Sequence, residues 1–293
     1  MKLEKRFCPL CGGESCDLHL EENFQPQNLN AYSFASRKEP EPFHLRLFLC
    51  KKCDLIYANP AFTRDTIEQE YEKAAFDSNI EASYAAKTYS KYLPEKNLIK
   101  SALDIGAGGG EFLAELRKNG VENIRGIEPS PAVINTAQND VKKFIDQGFF
   151  DKNFYAQGQF DLVTCFQTFE HVRDPLQLSR DVNSLLKNGG RFFAVTHNFR
   201  GNVNRILGKK SPIYDIEHFQ LFSPQSLRQM LEFAGFKEIK IFFIINTYPL
   251  FYWIKLLPAL PFKKQIISLV KKIKIGHLAI PFPIGNIGVI AVK

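Results

Sequence analysis

Residues 102–110 read A-L-D-I-G-A-G-G-G, and residues 125–130 read R-G-I-E-P-S. The first stretch is an apolar strand that ends with an acid and runs into a glycine loop, and the second is a strand closed by an acid. In a parallel α/β sheet a ligand lies in the crevice beyond the carboxyl ends of the strands. Gly106, Gly108 and Gly110 let the backbone approach it closely. Glu128, ending the second strand, is placed to take both hydroxyls of a ribose. The pair therefore predicts a nucleoside site at the mouth of an α/β sheet.

A dinucleotide needs its pyrophosphate at the helix N-terminus and a third glycine at the last position of G-x-G-x-x-G. That position is Glu111. A carboxylate in the first helical turn suits the helix dipole but repels a pyrophosphate, so a cofactor without phosphates fits better. The segment D-I-G-A-G-G-G, with Asp104 two residues before the first glycine, resembles the first motif of the class I S-adenosylmethionine-dependent methyltransferases, and Glu128 resembles their ribose-binding acid. Residues 160–172, FDLVTCFQTFEHV, are similar to that family's fourth strand and the loop after it. A helix follows, with Asp174 as its cap, Pro175 in its first turn, and Gly189 and Gly190 expected to end it before RFFAVTHN. HFQLFSPQSLRQMLEFAGF, residues 218–236, resembles the segment that precedes the sixth strand in many small-molecule members. Ser223 and Pro224 start its helix, Leu227, Leu231 and Ala234 give an apolar face, and Gly235 stops it.

The alternation of patterns predicts an α/β fold with strands at 101–105, 124–128, 142–146, 160–165, 191–196 and 237–244. The resemblance implies that these belong to a seven-stranded Rossmann-like methyltransferase sheet flanked by helices, with the last strand, GNIGVIAVK, antiparallel beside the sixth. Three segments are expected: a zinc-ribbon-like module over 1–60, a helical lid or linker over 61–98, and the methyltransferase domain over 99–293.

The first segment holds five of the six cysteines, with C-P-L-C at Cys8 and Cys11 and C-K-K-C at Cys50 and Cys53. Two such knuckles form the signature of a four-thiolate zinc site, because each turn delivers two thiolates to one tetrahedral ion. The gap between them exceeds the roughly fifteen to twenty residues usual for this pattern, and the polar, proline-bearing stretch 25–43 is expected to fill it as an excursion. Cys16, His19 and His44 are spare potential ligands, with ordinary loop or strand positions the blander alternative. In the second segment, TRDTIEQEYEKAA and EASYAAKTYSKYLPEK carry Tyr71, Tyr84, Tyr89 and Tyr92. The resemblance implies that these helices lie over the cofactor, so one of the tyrosines is a candidate contact.

The resemblance also assigns the site. Asp104 and Gly106 are expected to hold the methionine end, Glu128 the ribose, Pro129 the adjoining turn, Gly148 and Phe149 the adenine, and Phe166 and Gln167 the side of the donor after the fourth strand. Gly108 and Gly110 complete the loop. Methyl transfer asks the protein to align donor and acceptor, exclude water and take a proton. His171, just past the fourth strand, is the candidate general base because an imidazole titrates near neutral pH; the alternative is that Glu170 and His171 brace the loop. His197 and His218 have weaker claims. Cys165 is expected to be a buried apolar residue, since methyl transfer needs no covalent intermediate.

With 293 residues and 45% hydrophobic content, the chain can bury a substantial core. MKLEKRF leads straight into a cysteine pair, without the apolar run of a signal peptide, which makes the cytoplasm the expected location. The net charge of +7 is concentrated: from Ile239 to Lys293 there are eight lysines and no acid. In the predicted helix there, Phe262, Ile266, Val270 and Ile273 share one side, to be packed on the domain or laid on an anionic membrane surface. The expected activity is transfer of a methyl group from S-adenosylmethionine to a small-molecule or carrier-linked acceptor, at a hydroxyl of a sugar or other metabolite. Carbon methylation of a nucleotide-linked sugar is the alternative within the class, because some sugar C-methyltransferases carry a zinc-binding N-terminal region. A non-catalytic binding protein with the same fold is the alternative outside it. Nucleic-acid methylation is disfavoured: no N-P-P-Y-like motif closes the fourth strand, and the knuckle region is not arginine-rich.

Overall fold

A computed structural model describes residues 1–35, 41, 43–76, 80–257 and 260–293. Residues 36–40 and 42 of the expected excursion, and residues 258–259 of the basic segment, lie outside the described residues.

The main sheet has seven strands: β1 (Ser101–Ile105), β2 (Asn123–Glu128), β3 (Ile145–Gln147), β4 (Phe160–Phe166), β5 (Leu186–His197), β6 (Lys237–Phe243) and β7 (Asn286–Val292). Their spatial order is β6-β7-β5-β4-β1-β2-β3. The strands from β5 to β3 run parallel, while β7 is antiparallel to both β5 and β6. The strand order reverses between β1 and β4, and that switch point opens a crevice at the carboxyl ends. Alternate residues feed opposite faces. Leu103, Val163 and Phe192 pack with Val182, Leu227 and Met230 on one side. Ala102, Leu162 and Phe193 pack with Leu113, Leu116 and Tyr89 on the other. Each fully buried Leu or Phe contributes about 1.5–3 kcal/mol.

Local chemistry sets the helix ends. Asp174 accepts a hydrogen bond from the Gln177 N–H at 2.9 Å and caps helix Pro175–Leu185. Ser223 and Ser226 form a reciprocal capping box on helix Pro224–Phe233, and Gly235 follows at φ +88°.

Three local expectations are corrected. Gly189 and Gly190 do not end the helix: buried Leu186 pairs with Phe160 and draws the chain into β5 first, so the glycines occupy a register shift between Leu186 and Arg191. β3 starts at Ile145 because Val141 and Lys142 belong to a one-turn helix, Asn139–Lys142; a short apolar run does not distinguish the two. In helix Lys263–Lys272, Ile267 and Val270 pack on the domain, whereas Phe262 and Ile273 are exposed.

A second sheet is antiparallel and runs in the order Gln220–Leu221, Leu55–Ala58, Leu47–Cys50, Cys16–Leu20. Its outer strand comes from far along the chain, with Gln220 opposite Tyr57 and Leu221 opposite Ile56. Helices Arg64–Lys73 and Ile80–Ser90 precede β1, and Thr63 caps the first by accepting from Thr66 N–H.

Gly126, inside β2, lies where the glycine loop and the following helix press on the strand: a Cβ there would sit 2.7 Å from Ala107 Cβ and 2.8 Å from Leu113 Cδ1. Gly126→Ala should therefore destabilise the protein by about 1–3 kcal/mol, measured by urea unfolding.

Candidate functional site

The carboxyl ends of β1, β2, β4 and β5 open into a cavity of about 1280 Å³. That exceeds the range of about 300–1,000 Å³ common for single ligands, so there is room for a donor and an acceptor.

At one end stand three acids. Asp104 is 3% exposed and accepts a hydrogen bond from Thr164 Oγ1 at 2.6 Å. Burial, with Glu111 and Glu128 nearby, raises its pKa to about 8 despite the threonine. Glu128 is 8% exposed and accepts from the Gly108 and Ser130 N–H groups, both at 3.0 Å. Burial, with Glu111 beside it, raises its pKa to about 7 although these N–H groups favour the charged form. Carboxylates gathered in a low-dielectric site attract a cation, and they leave a pyrophosphate no favourable place.

Gly106, Gly108, Pro129, Gly148, Phe149, Phe166 and Gln167 line the same cavity. Gly106 has φ +75°, and a Cβ there would strike Thr168 Oγ1 at 2.4 Å. Gln167 Nε2 is buried without a hydrogen-bond partner among the described residues, a donor suited to a ligand atom. Gly110 is different. It does not line the cavity but forms the N-cap of helix Glu111–Lys118 at φ +78°, where a Cβ would meet Val141 Cγ1 at 2.8 Å. Close packing of helix and sheet already requires a glycine here. Tyr71 and Tyr89 join the cavity wall; Tyr84 and Tyr92 do not. Cys165 is fully buried, and burial holds its thiol well above the usual range.

A cluster of imidazoles lines the same cavity. The rings of His171 and His218 lie 4.9 Å apart, and those of His197 and His218 lie 5.2 Å apart. His171 Nδ1 is 3.6 Å from Glu217 Oε2, and the Tyr71 hydroxyl donates to that carboxylate at 3.4 Å. His218 Nδ1 donates to Ile213 O at 2.8 Å, which puts its proton on that nitrogen. Burial, with His171 and His197 adjacent, lowers its pKa to about 3 and keeps the ring neutral. His197 Nδ1 meets Asn286 Oδ1 at 2.9 Å. Glu170 is fully buried and accepts from Thr196 Oγ1 and from His197 N–H. Burial alone would raise its pKa, but His197, His171 and His218 outweigh it and hold the carboxyl below its ordinary value. Glu170 thus braces the loop, whereas His171 faces the cavity. Glu217 lies in no motif singled out above; the signal for it is a second Glu-His pair, 217–218, matching the pair at 170–171.

The four knuckle cysteines also converge. The sulfurs of Cys8, Cys11, Cys50 and Cys53 all lie within 4.8 Å of one another, and Cys11 and Cys50 are 3.8 Å apart. A tetrahedron with Zn–S bonds of about 2.3 Å has edges of about 3.8 Å. Both turns close alike, with Gly12 N–H on Cys8 O at 2.8 Å and Asp54 N–H on Cys50 O at 2.9 Å. Burial pushes the Cys8 thiol up to about 12 although the Cys11 and Leu10 N–H groups favour its thiolate. His19 instead bonds the Tyr214 hydroxyl and His44 the Leu45 carbonyl; neither they nor Cys16 belong to the cluster.

Residues 76–241 match the family described as Methyltransferase domain. The ubiquinone biosynthesis O-methyltransferase of Coxiella burnetii (strain RSA 493 / Nine Mile phase I) is 27% identical over 169 residues, 52% of this chain and 70% of that protein. The protein of the same name from Vibrio parahaemolyticus is 25% identical over 155 residues, 48% of this chain and 66% of that protein. A solved S-adenosylmethionine-dependent methyltransferase from Archaeoglobus fulgidus shares the fold, with a TM-score of 0.51, 18% identity, and coverage of 79% of this chain and 100% of that one. Matched over more than half its length, and with buried acids and a glycine loop at the switch point of its sheet, the chain belongs to the methyltransferase domain family as a class I S-adenosylmethionine-dependent methyltransferase.

Proposed function

We propose that the chain methylates a hydroxyl oxygen of a small or carrier-linked acceptor, with His171 as general base. The observation that carries this is the pairing of His171 with Glu217 in the wall of the cavity that also contains the glycine loop. The name shared by the curated relatives supports oxygen as the target atom.

S-adenosylmethionine, when bound, supplies a methyl group on a positively charged sulfur, which the acceptor oxygen attacks in line. Asp104, Gly106 and Gly108 would hold its amino-acid end, Glu128 and Pro129 its ribose, Gly148 and Phe149 its base, and Phe166 and Gln167 its flank. Tyr71 and Tyr89, from the two helices before β1, line the cavity wall. An acceptor hydroxyl must lose its proton as the new bond forms. His171 takes it on Nε2 while Glu217 steadies the positive charge from the Nδ1 side; neutral His218 orients the hydroxyl. Carbon methylation of a nucleotide-linked sugar would use the same residues, and the knuckle module favours it as the second reading. Isotope-labelled methyl transfer followed by NMR of the product distinguishes oxygen from carbon.

Cys8, Cys11, Cys50 and Cys53 would hold one structural zinc ion in a module over 1–60, next to a lid over 61–98 and a catalytic domain from 99 to 293. A zinc ion held there would stiffen a module that is tied to the segments around residues 173 and 220–223. Asp54, beside Cys53, accepts from Ser223 Oγ through its carbonyl at 2.9 Å and pairs with Arg200 at 2.5 Å. Arg6, beside Cys8, donates to Gln220 Oε1 at 2.7 Å and to Arg173 O at 2.6 Å. These ties fix both ends of the surface that bears His171, Glu217 and His218.

His171→Ala should lower kcat about a hundredfold or more while leaving methyl-donor affinity intact by calorimetry; a near-normal rate removes His171 as base. Because Asp104 and Glu128 are raised to about 8 and about 7, the folded protein binds more protons than the unfolded chain from the ordinary carboxylate range up to that window. Their contribution to stability therefore falls as pH rises across it, and attraction for a cation grows as they ionise. Titration should show tighter methyl-donor binding at about pH 8.5 than at about pH 6, a difference that Asp104→Asn reduces. Elemental analysis should find about one zinc per chain, lowered in Cys53→Ser; no metal, with four reactive thiols, rules the zinc site out.

A further inference from the structure

Between β6 and β7 the chain builds a ribbon, Asn246–Pro249 with Ala279–Phe282, and two helices, Leu250–Leu256 and Lys263–Lys272. One side of this excursion is inside the protein: Tyr248, Phe251 and Tyr252 are buried, and Ile267 and Val270 pack on the core. The other side is open. Phe262, Ile266, Leu269 and Ile273, spaced four, three and four residues apart, make a second apolar stripe along the helix. Phe262 is 75% exposed, Leu269 58% and Ile273 53%. Leu278 and Phe282 continue the apolar exposure at 63% and 48%. Half of the exposed large apolar side chains among the described residues fall between Phe243 and Phe282. Exposed Lys264, Lys272 and Lys274 flank the stripe, and no acid occurs from Ile239 onward.

We propose that this excursion docks on the surface of an anionic lipid bilayer, with the Phe262–Ile273 stripe entering the headgroup boundary and the lysines meeting lipid charge. An apolar stripe rimmed by cations on one short helix matches interfacial binding, where burial and charge act together. A second copy of the chain is the poorer occupant, because a two-fold contact would set these lysines against each other. A nucleic acid would leave the apolar stripe in water. No described helix is long and apolar enough to cross a membrane, so the element lies on the bilayer. The cavity reaches this face: Leu257 and Phe282 are at once exposed and part of its wall, beside Trp253, Leu256 and Ile280. Docking therefore turns the apolar wall of the acceptor space toward lipid.

Flotation of the full chain with phosphatidylcholine vesicles, with and without phosphatidylglycerol, tests this without methyl donor or acceptor, so its outcome is separate from that of the methylation reading. The chain should float with the anionic vesicles only, and less as salt screens the surface. Each lysine near an anionic surface is worth about fivefold in partition, so Lys264→Gln, Lys272→Gln and Lys274→Gln together should lower it about a hundredfold. Leu269→Glu should abolish it. These positions are outside the cavity wall, so S-adenosylmethionine binding by calorimetry should stay unchanged and certifies the fold of each variant. No flotation at low salt, equal flotation on both vesicle types, or flotation indifferent to the substitutions would overturn the proposal. So would self-association that Leu269→Glu removes, which would give the stripe to a second copy.

Discussion

Asp104 and Glu128 stand inside the protein at the ends of β1 and β2, with Glu111 near enough to raise the pKa of both. Carboxylates taken out of water destabilise a fold unless hydrogen bonds and opposite charge compensate. Thr164, Gly108 and Ser130 meet the hydrogen-bonding part of that demand. Among the described residues the protein supplies no cation to Asp104 or Glu128, an arrangement that suits a positively charged ligand better than a pyrophosphate. The glycine loop and the switch point between β1 and β4 open the cavity at this place.

The acceptor side is held differently, by connections that run across the sequence. Gln220 is fully buried, accepts from Arg6 and donates to the carbonyl groups of Phe169 and Val172. One amide side chain thereby joins the N-terminal module, the loop after β4 and the strand beside Leu55–Ala58. His171 and Glu217 come from two separate loops and approach to 3.6 Å, and Gln220, three residues after Glu217, bonds the carbonyl of Val172, next to His171. The knuckle module is accordingly part of the frame of the cavity.

Much of this was legible in the chain because it depends on near neighbours. Asp104 with its glycines, Glu128 closing a strand, Asp174 before proline and Ser223 before proline each act within a turn or two of themselves. The paired knuckles were legible because thiolate geometry constrains spacing. Gly110 is ambiguous in the chain because the same conformational freedom serves ligand approach and helix packing, and the side chains that crowd it, Val141 and Ile145, lie more than thirty residues on. Gly189 and Gly190 read locally as a helix stop, because their part in β5 is set at a distance by Leu186 meeting Phe160. The outward stripe at Phe262 and Leu269 was hidden because periodicity shows that a helix has an apolar face, and this helix has two, only one of which the domain covers.

β7 lies between β5 and β6, although it follows both in the chain. While a ribosome is making this protein, β5 therefore has one bare flank until residues 286–292 emerge, and the strand Leu55–Ala58 waits for residues 220–221 in the same way. Unpaired strand flanks invite pairing with the wrong chain, and distant partners close slowly. The nascent polypeptide thus carries two open strand borders through much of its synthesis, each exposed to mispairing until its distant partner emerges.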